Sequence, residues 1–371
     1  DFHNALPVAS TIHWHGLRLE DRFDGVPGLS QPPVEPGGAF TYELVFPDGG
    51  IYWYHPHVRE DIQQDLGLYG NIFVQPSRAD TWGPAHREEF LILDDLLVDD
   101  EGLVPYGRDE PTHAAMGRFG NLLLVNGEPA WQLSARAGEV VRLYLTNASN
   151  TRTFNLSFTG AVRMKVVGSD LGAFVRESWA ESVVIAPAER YVVDVRFDAA
   201  GPVALVNAVQ GQDHFNGRFF PIVDTLGTVD VRGTAPALAG DWSALRTSPP
   251  AAEELLPLLA AHRGRPPERV LELVARFRNL PFVTERLMRV DSIWVNPVEW
   301  AGTMPGMNWA TVTGQAPWTL RDHATGEENH AIAWRFRRGD LLRLRLQGVR
   351  ETLHAMQHPI HLHGQRFLVL A

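Results

Sequence analysis

The sequence contains no cysteine. That excludes disulfides and any thiolate metal ligand within these residues. Lysine is nearly absent too. Lys165 is the single one, and arginine carries the rest of the positive charge. We read this skew as a genome bias and not as a site. No apolar run is long enough to span a bilayer. The formal net charge is −11, which argues against a nucleic-acid partner. No signal peptide is visible. The chain does not start with methionine, so a missing signal says nothing about export. Asp94-Asp95 and Asp99-Asp100 lack EF-hand spacing and read as turns.

What the sequence does hold is histidine in pairs. There are three His-X-His units: His13 and His15, His55 and His57, His361 and His363. Each lies in a run rich in aromatic, β-branched or proline residues. In a strand, residues i and i+2 point to one face. Each unit therefore presents two imidazoles side by side, which suits a transition metal. His358 lies three residues before His361 and faces elsewhere. That hints at a second, separate metal centre nearby.

The 371 residues can bury a large core and predict two or three domains. A content of 33 Gly and 26 Pro with 44% hydrophobic residues is that of a β-rich globular chain. An internal repeat organises it. Residues 136–145 and 337–346 both run from a Gly turn into a strand. Residues 36–55 are echoed by 187–207, with a strand expected at Phe40–Phe46 and another at Tyr191–Phe197. Alternating strands bounded by Gly, Pro and Asp turns indicate β-sandwich modules. The repeat equates His13 and His15 with Asn155 and Ser157, and His55 with Asn207. The middle module is thus a spacer, and the first and third meet to build the site.

The expected fold class is all-β: tandem Greek-key sandwiches, two near-complete and a third incomplete. The boundaries are 1–84, 85–232 and 285–371. Between them lies a linker, 233–284, carrying two short helices at Glu253 and at Glu268–Phe277, split by Pro266 and Pro267. This linker could also act as a lid over a substrate site. The first module starts inside the repeat unit and the third stops in mid-strand, so both ends read as cut.

These motifs resemble the multicopper oxidase family, which includes laccases and related metallo-oxidases. The matching residues are His13-Trp-His-Gly16, Trp53-Tyr-His-Pro-His57 and His358-Pro-Ile-His-Leu-His-Gly364. The resemblance covers essentially the whole chain and implies three cupredoxin-like domains of the laccase type. It implies that His13 and His361 bind type 2 copper. It assigns His15, His55, His57 and His363 to the type 3 copper pair, and His358 to type 1 blue copper. It makes Asp24, in an Asp-Gly turn after the first pair, the carboxylate that assists proton delivery to dioxygen. The family's closing His-Cys-His motif is absent, so no blue copper site forms from these residues alone. Every expected ligand up to Ala371 is present. Truncation is therefore the reading, with a copper-free scaffold as the alternative.

The expected activity is laccase-like oxidation of phenols or aromatic amines coupled to reduction of dioxygen to water, because no Met-rich segment is present. A cuprous or other metal-ion oxidase comes second. Export, to the periplasm or beyond, is what the resemblance implies. Oligomeric state is left open. Met304 and Met307 read as loop filler. His354 and Met356 read as local packing, and His323 and His330 as solvated.

Overall fold

A computed structural model describes residues 1–213, 218–276, 282, 298–300, 318–337, 339–349 and 358–370. Met304, Met307, His354 and Met356 lie outside the described residues.

The middle of the chain is a two-sheet sandwich. One sheet orders the strands Gly172–Ala180, Val162–Ser169, Arg190–Phe197, Val140–Asn147, Arg87–Leu96 and Leu122–Val125. The other orders Trp131–Ala137, Arg218–Thr234, Gly201–Asp213, Phe154–Phe158 and Val183–Ile185, and Val298–Trp300 pairs with Gly201–Asp213. Period-two patterning builds the core between them. Val141, Leu143, Leu145, Val193, Val195 and Phe197 from the first sheet meet Phe154, Leu156, Leu205 and Val229 from the second.

The first sheet is buried on its other face too. Every residue of Val140–Asn147 is buried. Tyr144, Val167 and Val192 pack there against Ile51. Ile51 belongs to the first module's sheet, ordered His13–His15, Gly50–His55, Gly70–Val74. A fully buried side chain of this size contributes about 1.5–3 kcal/mol. The middle sandwich thus serves as the seat on which the first module's histidine strands rest.

The expected strand at Phe40–Phe46 is confined to Ala39–Phe40, which pairs with Phe2–His3. The expected helix near Glu253 is present as Pro249–His262, opened by two prolines in its first turn. The helix expected at Glu268–Phe277 is a strand instead, Arg269–Ala275. It lies between Trp318–Asp322 and Leu344–Gly348, antiparallel to one and parallel to the other. Glu268 and Glu272, four apart, imitate a helical polar stripe. Tertiary pairing on both edges of a seven-residue run decides the matter.

Candidate metal centre

Antiparallel pairing of His13–His15 with Gly50–His55 sets His13 opposite His55. Strand alternation then brings His13, His15, His55 and His57 toward one place. The segment after residue 357 adds His361 and His363. Two groups of three imidazoles, His13/His57/His363 and His13/His15/His55, each hold their ligand nitrogens within 4.8 Å of one another. His361 stacks on His15 with ring centroids 3.7 Å apart. All six predicted cluster histidines are thus brought together. The seventh, His358, stands apart with its ring edge-on to Trp318 at 4.7 Å.

Nitrogens face nitrogens inside the cluster. His13 Nε2 is 3.4 Å from His361 Nε2, and His15 Nδ1 is 3.4 Å from His55 Nε2. Two imidazole nitrogens at that separation can share one cation at a nitrogen–metal distance of about 2.0–2.1 Å. The opposite ring nitrogens meet oxygen. His13 Nδ1 donates to the Asp24 carbonyl at 2.8 Å, and His55 Nδ1 to the Pro56 carbonyl at 3.0 Å. His57 Nδ1 donates to Glu60 Oε2 at 3.1 Å, and His363 Nδ1 to Asp24 Oδ2 at 2.7 Å. Carbonyls and carboxylates only accept, so each of these rings keeps its proton on Nδ1 and offers Nε2 inward. Outer oxygens that fix the tautomer are the usual support of metal-binding imidazoles.

Electrostatics points the same way. Burial pushes the pKa of His15 well below the usual imidazole range, and the charge of Arg190 adds to that. Burial followed by the neighbouring His13 does the same for His55, and holds His361 at about 3. Burial also lowers His13, against the pull of Asp24. These rings are therefore neutral at ordinary pH, the form that binds metal. An all-imidazole donor set fits copper, zinc, iron or nickel and disfavours calcium and magnesium.

Asp24 is buried. Burial raises its pKa, but its contacts with His13 and His363 outweigh that and hold the carboxyl well below its ordinary value. Its Oδ1 lies 3.2 Å from His13 Nδ1, whose proton already goes to the Asp24 carbonyl, and accepts no hydrogen bond of its own. Asp24 thus ties the first His pair to the third.

Two residues escaped the sequence reading. Glu60 follows Arg59, which takes the left-handed conformation at φ 48° and turns the chain back beneath His57. Arg190 reaches in from the middle sandwich. No motif marks either of them.

Two family models, both described as "Multicopper oxidase", match residues 1–79 and 88–218, together more than half of the chain. Multicopper oxidase MmcO of Mycobacterium tuberculosis is 29% identical, over 99% of this chain and 67% of that protein. Copper resistance protein A of Pseudomonas syringae pv. tomato is 28% identical, over 52% of this chain and 38% of that protein. The crystal structure of a multi-copper oxidase from Pseudomonas thermotolerans is 29% identical with a TM-score of 0.57, covering 75% of this chain and 61% of that one. The chain therefore spans about two thirds of the length of the first relative and well under half of the second. These likenesses bear out the all-β, cupredoxin-like fold class.

Proposed function

We propose that this chain, which belongs to the multicopper oxidase family, holds the copper cluster of an oxidoreductase that passes single electrons from a reducing substrate to dioxygen. The observation that carries the proposal is the convergence of six imidazoles from both ends of the chain, four of them with the outer nitrogen held by oxygen. Bound copper would supply one-electron redox chemistry at the point where those nitrogens meet.

The chain's own residues do the rest. The facing pair His13 and His361 supports the type 2 assignment. The facing pair His15 and His55, with His57 and His363, supports the type 3 assignment. Asp24 holds His363 in place, and as the carboxylate beside the cluster it is the residue we assign to assisting proton delivery to dioxygen. His358 is the imidazole available to a type 1 centre. The sequence has no cysteine, so these residues alone do not complete that centre.

For the reductant we propose a phenol or aromatic amine. Cuprous ion is the second reading, favoured by the likeness to copper resistance protein A. We also propose that the protein works after export. No helix among the described residues is long and apolar enough to cross a membrane.

Copper analysis of the purified, copper-loaded chain tests the cluster. Uptake of more than one ion per chain, reduced in H13Q and H361Q, is expected. A copper-free product would overturn the oxidase reading and leave a scaffold. Parallel turnover assays of the whole protein on a phenol and on cuprous ion separate the two reductants.

A further inference from the structure

The middle module carries no histidine pair, yet it sets one cation against the cluster. Arg190 opens the strand Arg190–Phe197 and is 4% exposed. Its Nε donates to the Ile51 carbonyl at 3.0 Å, and its Nη1 donates to the Ala188 carbonyl at 3.0 Å. Nη1 also pairs with Asp170 Oδ1 at 2.8 Å. The Ile51 amide in turn donates to the Asp170 carbonyl at 3.1 Å.

These contacts fill a gap in the first module's sheet. The ladder between His13–His15 and Gly50–His55 ends where His15 meets Trp53. Gly16, at φ +89°, turns the chain away there. The edge of the strand at Ile51 is taken up by Arg190 and Asp170. A Cβ on Gly16 would come within 2.7 Å of Arg190 Nη2. The guanidinium therefore sits directly behind the residue that follows His15. Its partner carboxylate, Asp170, is 41% exposed at the side chain, so water weakens the countercharge more than it weakens the arginine.

A buried guanidinium beside a group of cation-binding imidazoles is electrostatically unfavourable for metal uptake. It is less unfavourable for a singly charged ion than for a doubly charged one. Resting on the copper reading above, we infer that Arg190 sets the charge of the centre, biasing it toward cuprous over cupric ion while it fixes the Gly16 turn. It acts through field and position and touches no substrate.

The test is competition of the intact chain against chelators, once with cupric ion and once with cuprous ion under reductant, giving a ratio of affinities. One unit of charge acting over ~10 Å at an effective dielectric of ~25 amounts to a change of about tenfold. R190Q should move the ratio about tenfold toward cupric ion, and R190K should leave it within about threefold. D170N, which removes the exposed countercharge, should move the ratio toward cuprous ion and is expected to fold. A purely structural role would weaken both ions equally and leave the ratio alone. An unchanged ratio in R190Q and D170N overturns the inference while the copper cluster stands. A wild-type chain that takes up neither ion overturns both.

Discussion

Replacing Asp24 by alanine should loosen the third His pair and spare the first. The distances show why. His13 keeps its bond to the residue 24 carbonyl at 2.8 Å, which any side chain preserves. His363 loses its partner, the Oδ2 contact at 2.7 Å. A hydrogen bond to a charged group contributes about 1.5–3 kcal/mol. Loss of an outer-shell partner of this kind usually lowers metal affinity about 10- to 100-fold. Chelator competition should thus show Asp24→Ala weaker by roughly that factor. Asp24→Asn, whose amide oxygen still accepts from His363, should lose about tenfold or less. Asp24 is held below the ordinary carboxylate value of 3.8, so the folded state binds the proton less readily than the unfolded chain. Its contribution is present above that ordinary value and fades only as pH falls through the lower, folded one. In melts of the metal-free chain the wild-type advantage over Asp24→Ala should therefore persist down to about pH 4. Wild-type affinity in Asp24→Ala would refute the tie between the two modules. A loss in Asn equal to that in Ala would mean that charge, not the acceptor, is what matters.

Glu60→Ala should lower copper affinity about 10-fold or more by freeing His57 Nδ1, with Glu60→Gln intermediate; equal affinities across the three proteins in the same competition assay would count against that role. Lys165 is fully buried, 2.8 Å from Glu177 and over the Trp242 ring at 4.8 Å. Lys165→Met should cost about 3 kcal/mol in denaturant unfolding, since Arg246 remains to hold Glu177, and Lys165→Met with Glu177→Leu should recover much of it. Burial pushes the carboxyl of Asp94 up to about 7. Its folded pKa lies above its unfolded one, so its contribution is complete below about pH 4 and lost as pH rises through about 7. The margin by which the wild type exceeds Asp94→Asn should therefore be larger at pH 5 than at pH 8 in paired melts.

Much of the centre was legible because histidine spacing and strand geometry share a period of two. Once His13, His15, His55 and His57 were placed on strands, their faces followed. Asp24 was legible as a carboxylate in a turn beside the first pair. Glu60 was not, because its approach to His57 depends on a left-handed backbone at Arg59, a conformation arginine does not announce. Arg190 was not, because a contact between modules leaves no local pattern. Lys165 passed as composition, though it is one of the most deeply buried side chains. The repeat was also read one step out of register. Asn207 pairs with Leu156, whereas its counterpart His55 pairs directly with His13. The strand Arg269–Ala275 imitated a helix because its two glutamates fell four apart.

The contact between His13 and His361 joins residues 348 positions apart. Ordering a chain of that length is a matter of sequence, not only of energy. The first and second His pairs can meet as soon as the hairpin from His13 to His57 exists. The third cannot join them until everything between has been made and seated. Doubling such a loop adds only about 0.6 kcal/mol to its closure, so equilibrium tolerates the distance easily. Timing does not. A metal ion arriving early would find four imidazoles and an open side, whereas one arriving late would find the centre closed and would act as a rivet between the two ends of the chain. An ion held by the first and third His pairs together would bind only the assembled chain, so the loaded form should resist separation of its ends better than the empty one.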